Sequence, residues 1–279
     1  MAATAGTPRA RALSAALREA RQTSGLGLRA LARQLALSHV QISNWETGAR
    51  VPNVETVAMI LAAIRTAPAE RERILDLARN VREPNWLTVG TQGIPQQLAG
   101  VVECERAATS IVEWSPMAVP GLLQTLEYTR AIKQTGGLPQ ADIELRVMLS
   151  ASRSEVITRP DPVEFHALIG EAGLHEPIGP KGVMAGQLRH LLVLAEKPNV
   201  SVRIVPLGMG WHPGWSGPFV LYEFPDTSPV VYFEHHSSGA FIPAEHEVRE
   251  YRKAVDWLRD IAMGEAESAR RIAELEESA

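Results

Sequence analysis

The sequence has little of what stabilises secreted or membrane-embedded proteins. Cys104 is its single cysteine, so no disulfide can form within the chain, and this fits a reducing compartment. No apolar run approaches the ~18 residues that a membrane helix needs, and residues 191–195 are among the longest. Residues 1–13 contain no continuous apolar stretch of the kind found in secretory signals. We therefore expect a cytoplasmic protein that makes no use of a membrane.

Signatures of common catalytic and cofactor sites are also missing. The sequence has no G-x-S-x-G, P-loop, G-x-G-x-x-G or C-x-x-C motif. His235 and His236 are adjacent, but neighbours in a strand point to opposite faces and do not easily share a metal ion. Cys104 lies between Glu103 and Glu105, whose charges disfavour a reactive thiolate. We expect no catalytic residue, no metal and no cofactor.

Positive charge is concentrated near the N-terminus. Residues 1–82 contain twelve arginines, no lysine and six carboxylates, which gives a net charge of +6. Because the whole chain carries −4, the remainder carries −10. This asymmetry indicates a small module that binds a polyanion, joined to a larger acidic module. Between them, the Gly/Pro/Thr composition of residues 83–95 predicts a linker, so the predicted domains are residues 1–82 and 96–279.

The N-terminal module contains one helix with two different faces. Patterns of period 3.6 predict four or five short helices, of which the third begins at Ser38 and ends at Gly48. Ser38 and Gln41 have the spacing of a capping box, and Ile42 and Trp45 fall together on the core side. The opposite arc is small or hydrogen-bonding and lacks a carboxylate, with Glu46 near its boundary. It comprises His39, Val40, Ser43, Asn44 and Thr47. Such a face can reach base edges without repelling phosphates.

Residues 28–52 resemble the helix-turn-helix of XRE and Cro/phage-repressor regulators, through LRALARQLALSHVQISNWETG followed by Arg50-Val-Pro. The resemblance implies an all-α, lambda-repressor-like domain that binds double-stranded DNA with helix 38–47. It implies base contacts from His39, Val40, Ser43 and Asn44, and phosphate contacts from Arg29, Arg33, Gln41, Thr47 and Arg50. Gly27 replaces the more common Ser or Thr cap. At Ala36, where the turn often has glycine, we expect a slightly different turn.

The larger module mixes strand and helix patterns. Strands are predicted at 110–114, 163–169, 200–205, 219–224 and 230–234. Helices are predicted at 96–109, 125–135, 140–157, 183–196, 244–263 and 265–277. Either an α+β or an α/β arrangement fits this order, and we adopt α+β. The predicted fold class is therefore multi-domain, with an all-α N-terminal domain and an α+β C-terminal domain.

Several segments of the larger module resemble a second known block. They are 119–125 (VPGLLQT), 171–174 (EAGL), 184–188 (MAGQL), 200–206 (VSVRIVP), 217–221 (GPFVL) and 230–234 (VVYFE). Together with the N-terminal motif they are similar to actinomycete (Streptomyces-type) regulators with a C-terminal domain of unknown function, including the WhiJ-like, antitoxin-like proteins. The resemblance implies a transcription factor, often paired with a small partner protein encoded nearby.

Two features of the larger module bear on partners. The glycine-rich stretch 208–218 carries Trp211, His212 and Trp215, which indicate a loop that clasps a ligand or partner or, alternatively, aromatic rings that cover the sheet. The helix at 244–263 has an apolar stripe that serves either packing within the chain or a dimer interface. We expect a homodimer, because helix-turn-helix repressors commonly bind paired half-sites.

We expect a sequence-specific transcriptional regulator at the nucleoid that is not an enzyme and whose larger domain dimerises and responds to a small partner protein or ligand. One alternative is an antitoxin-like protein whose main role is to bind a small partner protein. Another is a small-ligand receptor or enzyme with a residual DNA-binding module, which a buried cluster of ionisable side chains in the larger domain would favour.

Overall fold

The structure, a computed structural model, describes residues 8–81, 96–225, 227–234 and 239–279. These residues form two compact units, one of residues 8–81 and 96–104 and the other of the described residues from 105 onward. The predicted linker 83–95 lies outside the described residues, so the domain limits at 82 and 96 stay a prediction. None of the described helices is long and apolar enough to cross a membrane.

Helices alone build the first unit up to residue 81. They are α1 (Pro8–Thr23), α2 (Leu28–Gln34), α3 (His39–Glu46), α4 (Val54–Ala63) and α5 (Pro68–Arg79). Each contributes a side chain that is at most 1% exposed to one shared core: Leu17, Leu31, Ile42, Leu61 and Ile74. The predicted all-α helix-turn-helix architecture is confirmed. α6 (Gln96–Ala107) follows and spans the boundary between the two units.

The turn between α2 and α3 has the conformation that glycine usually adopts at this position. Ala36 has a φ of 54°, the left-handed conformation that glycine adopts without strain. The Leu37 amide donates to the Ala32 carbonyl at 2.9 Å and the Ala36 amide to that of Arg33 at 3.3 Å, which is a Schellman motif. The expectation of a different turn was therefore wrong, because two hydrogen bonds hold alanine in the conformation that glycine usually supplies.

Replacing this alanine tests how much strain the turn stores. We expect Ala36→Gly to raise the free energy of unfolding by about 1 kcal/mol, because relief of the left-handed strain exceeds the extra chain entropy of glycine. Ala30→Gly, inside α2, is the matched control and should lower it by about 1 kcal/mol. Chemical denaturation measures both. A lower free energy of unfolding for Ala36→Gly would show that Ala36 stores no such strain.

A six-stranded mixed sheet organises the second unit. Its strands are β1 (Ser110–Ser115), β2 (Glu164–Gly170), β3 (Val200–Val205), β4 (Phe219–Glu223), β5 (Val230–Glu234) and β6 (Gly239–Ile242). Their order is β3-β2-β1-β4-β5-β6, with β1, β2 and β3 parallel and the other pairs antiparallel. In register, Glu113 of β1 lies between Ala167 of β2 and Val220 of β4. The predicted α+β class is confirmed.

Helices connect and cover the strands of this sheet. They are α7 (Leu126–Gln134), α8 (Gln140–Ser154), α9 (Ala172–His175), α10 (Val183–Ala195), α11 (Glu245–Ile261) and α12 (Glu265–Ser278). The apolar stripe of α11 packs on one face of the sheet through Val248, Val255 and Leu258, each at most 3% exposed. Trp257 of the same helix is 53% exposed. Most of the stripe therefore serves packing within the chain.

The sequence patterns missed one strand. β6 pairs with β5, and its first residue Gly239 lies opposite Glu234. A Cβ at Gly239 would lie 2.5 Å from the Tyr232 hydroxyl oxygen, so the buried tyrosine ring leaves no room for a side chain there. Four residues that begin with glycine carry too little alternation to predict a strand.

Candidate nucleic-acid interface

The start of α3 is fixed by its own side chains. The Ser38 hydroxyl accepts from the Val40 amide at 3.2 Å, and the Gln41 side-chain carbonyl accepts from the Ser38 amide at 3.1 Å. Both bonds of the predicted capping box are therefore present. They satisfy first-turn amides that would otherwise need solvent, and they orient the residues that follow.

The inner side of α3 is held by packing and by an ion pair. Ile42 is 1% exposed, and the half-buried Trp45 packs against the same core. Glu46, expected near the boundary, is instead 8% exposed. The Arg21 guanidinium donates to both of its carboxylate oxygens, at 2.6 and 2.8 Å, and to the Leu26 carbonyl at 3.0 Å. The hydrogen bonds that Arg21 donates to Glu46 raise the pKa of Arg21. The only carboxylate of α3 is thereby neutralised on its inner side.

The outer side of α3 presents short, uncharged groups. His39, Val40 and Gln41 are exposed, and Val40 is 51% exposed although it is apolar. Ser43 and Asn44 are half-buried beside them. The Thr47 hydroxyl is exposed and donates to the Ser43 carbonyl at 2.9 Å. The lone pairs of this hydroxyl oxygen remain able to accept a hydrogen bond from outside the helix.

Three arginines near α3 remain available, whereas two arginines of α5 are paired. Arg29, Arg33 and Arg50 are exposed, and none forms an ion pair with a described residue. In contrast, Arg73 pairs with Glu70 and Arg79 with Glu72, each at 2.6 Å. The three arginines that are predicted to contact phosphates therefore have charge that is available for binding DNA.

We call residues 208–218 of the second unit the aromatic loop, and this loop is anchored to β1 through Gly214. The Trp114 indole N–H donates to the Gly214 carbonyl at 2.9 Å, and a Cβ at Gly214 would lie 2.7 Å from that ring. His212 is 8% exposed, lies edge-on to Trp114 at 5.8 Å, and its Nδ1 has no hydrogen-bond partner among the described residues. Trp211 and Trp215 are 76% and 69% exposed, so these two rings do not cover the sheet.

A cluster of ionisable side chains lies beside β1. Arg153 donates to Glu105 at 2.6 and 3.0 Å, and the Glu105 side chain is 3% exposed. Glu113 retains some exposed area as a residue, but its carboxyl group is enclosed, and this burial raises its pKa to about 7 against the attraction of Arg153. Burial also lowers the pKa of Lys133. Sequence reasoning missed this cluster, although a glutamate in the middle of a strand was its visible signal.

Comparison with protein-family models finds two matches. A model described as a helix-turn-helix domain matches residues 12–74, and one described as domain of unknown function DUF5753 matches residues 98–274. The chain belongs to the DUF5753 family. Comparison with curated proteins and with solved structures finds no match. The helix-turn-helix match contains all nine residues predicted to contact DNA, and it indicates DNA binding by this part of the chain.

The DUF5753 region holds the loop and the cluster, but no metal centre is evident in the part of the chain that the structure describes. No group of three or more His, Cys, Asp or Glu side chains there could hold a metal ion. His235 and His236 lie outside the described residues. Cys104 is buried and forms no disulfide.

Glu113 in the DUF5753 region gives the protein a testable pH dependence. Its pKa of about 7 exceeds the ordinary 4.5, so the folded state holds a proton that the unfolded state releases between these values. Stability is therefore lost as pH rises through that window, by about 3 kcal/mol in total. We expect Glu113→Gln to remove most of this loss, so that its advantage over wild type grows from pH 4.5 to 8. Chemical denaturation at several pH values measures this advantage, with the exposed Glu245→Gln as control. A stability difference between Glu113→Gln and wild type that does not change with pH would contradict the raised pKa of Glu113.

Proposed function

We propose that this protein is a sequence-specific transcriptional regulator that reads the DNA major groove with helix 38–47. The observation that carries the proposal is the contrast between the two sides of α3. Its carboxylate is neutralised inside by Arg21, whereas its outer side presents only short, uncharged or hydrogen-bonding groups. A helix of this kind fits a groove about 12 Å wide that is lined by base-edge donors and acceptors.

Each outer residue has a distinct role in base recognition. The Asn44 amide can donate to and accept from adenine, and His39 can donate to a guanine acceptor. Val40, with its exposed methyl groups, suits the thymine methyl. Ser43 lies between them, small enough to let the helix approach closely.

The phosphate contacts are divided between charged and neutral donors. Arg29, Arg33 and Arg50 supply charge. Gln41 uses its carbonyl in the capping box, which leaves both amide N–H groups to donate to a phosphate oxygen. Thr47 must release the Ser43 carbonyl before its hydroxyl can donate outward.

Salt dependence tests the proposal directly. If a dimer neutralises six to ten phosphates, affinity for a duplex should fall by roughly 10³–10⁵-fold between 50 and 200 mM salt. Arg33→Gln should weaken binding and reduce the slope by about 0.9 per lost contact, whereas Arg79→Gln, distant from α3 in sequence and ion-paired, should leave it unchanged. Fluorescence anisotropy measures both. A flat salt dependence would contradict phosphate-anchored binding.

The second unit is proposed to assemble a homodimer at the nucleoid and to control DNA binding through a small partner protein or ligand. Two recognition helices related by a two-fold axis would bind half-sites about 34–36 Å apart. Because most of the α11 stripe packs within the chain, the dimer interface is proposed to lie elsewhere. The exposed rings of Trp211 and Trp215 support a role of their loop in partner binding.

One observation favours a second candidate function, a small-ligand receptor or enzyme with a residual DNA-binding module. Glu113, Lys133 and Arg153 form a half-buried cluster of ionisable side chains of the kind that such a function needs. Selection of bound duplexes from a random pool separates the two candidates, because a residual module would show weak binding without sequence preference.

A further inference from the structure

A cavity of about 340 Å³ opens beside the aromatic loop of the second unit. Its walls are the turn 213–218, the adjoining ends of β4 and β5, and α11. Three aromatic side chains line it: Phe219, Phe233 and Tyr251. The rings of Phe219 and Tyr251 lie edge-to-face with centroids 5.0 Å apart. The volume falls in the range of small-ligand pockets, about 300–1,000 Å³.

Among the described residues, one charged side chain faces this cavity, the exposed Glu250, and no lysine, arginine or histidine lines it. Glu234 also borders the cavity, but it follows Phe233 in β5, so its side chain points to the opposite face of the sheet, near Glu113 and Lys133. Burial, followed by the nearby Glu247 charge, raises the pKa of Tyr251, so its ring stays neutral. Glu250 contacts Lys253 at 2.8 Å, but both side chains are largely exposed, and such pairs contribute little. A bound cation can therefore replace Lys253 at small cost.

The wall of the cavity is built in advance of any ligand. The Trp114 indole holds the Gly214 carbonyl, and the short contact at Gly214 leaves no room for a side chain there. Phe219 and Phe233 belong to paired strands of the sheet. A preformed apolar pocket lets a ligand bind without ordering the protein first.

We propose that this pocket binds small organic cations that carry an aromatic or branched apolar body. Aromatic faces attract a cation through the ring quadrupole, most strongly for weakly hydrated ammonium groups. The apolar body fills the cavity, and the carboxylate of Glu250 complements the charge. Such a ligand would serve as the effector of the regulator, a role that rests on the proposed function, whereas the binding itself does not.

The test uses the full-length protein and a pair of isosteric probes, para-hydroxyphenyltrimethylammonium and the neutral para-tert-butylphenol. Calorimetric titration without DNA should show one site that prefers the cation by about tenfold. Glu250→Gln should reduce this preference several-fold, and Phe233→Leu, which keeps an apolar side chain but removes the ring, should do the same. Glu245→Gln is the matched control, because Glu245 is also an exposed, ion-paired glutamate of α11 but does not line the cavity.

Equal or tighter binding of the neutral probe would overturn the proposal, as would no binding of the cation at millimolar concentration. An equal loss in Glu245→Gln and Glu250→Gln would also overturn it, because the charge would then act from outside the pocket. None of these outcomes affects DNA binding, which is measured separately by anisotropy. Failure of the pocket and failure of the regulator function are therefore distinguishable.

Discussion

Ser43→Glu should abolish specific DNA binding while leaving the fold intact. Ser43 is half-buried on the outer side of α3, and its carbonyl takes part in the helix. Glutamate is a good helix former, so we expect folding to be preserved. In the groove, the added carboxylate lacks the Arg21 partner that neutralises Glu46 and meets base-edge acceptors and phosphates. We expect at least about a hundredfold loss of affinity, since each disrupted base contact costs ~1–3 kcal/mol and a dimer repeats it.

The control for this variant must add the same charge elsewhere in the first unit. Ala69→Glu does so in the first turn of α5, where a carboxylate is favourable to the helix dipole. Its affinity should stay within a few-fold of wild type. Anisotropy titration measures binding, and circular dichroism confirms the fold of both variants. Retained binding by a folded Ser43→Glu protein would show that another face of the unit contacts DNA.

Glu46→Gln should strongly destabilise the first unit. The Arg21 and Glu46 side chains are 12% and 6% exposed, and their two hydrogen bonds tie α1 to the end of α3. Removal of one charge leaves Arg21 enclosed without its counterion, which costs about 3–5 kcal/mol. Because the same pair orients α3, DNA affinity should fall together with stability.

Amide hydrogen exchange in α1 and α3 measures this loss within the first unit itself. Glu70→Gln is the matched control, since the Glu70–Arg73 pair has similar distances but side chains that are 41% and 50% exposed. That variant should lose less than about 1 kcal/mol. Equal losses of stability in Glu46→Gln and Glu70→Gln would show that burial of the Arg21–Glu46 pair adds nothing to the stability of the first unit.

Local patterns in the sequence predict most of the helices and strands because each obeys a short-range rule. The capping box at Ser38 and Gln41 requires a spacing of three residues, and the structure contains both of its bonds. Alternation along residues 200–205 predicts β3, which is observed with those bounds. The outer arc of α3 follows from a rotation of about 100° per residue.

Features that depend on more than a local pattern could not be predicted in this way. Arg21 and Glu46 are separated by 25 positions, and no local pattern distinguishes their pairing from two exposed charges. The order of the sheet strands is equally hidden, because parallel and antiparallel neighbours differ in crossovers and not in composition. At Ala36, the hydrogen bonds that close the end of α2 override the preference of alanine for right-handed backbone.

Selection of bound duplexes from a random pool with the purified full-length protein tests sequence-specific recognition by α3 most directly. We expect enrichment of a symmetric pair of half-sites, centred about 10 base pairs or a multiple apart. The enriched duplex should lose affinity for the Ser43→Glu and Asn44→Asp proteins and keep it for Ala69→Glu. A pool that stays random would contradict sequence-specific binding. An enriched site that the Ser43→Glu protein binds as tightly as wild type would contradict recognition by α3.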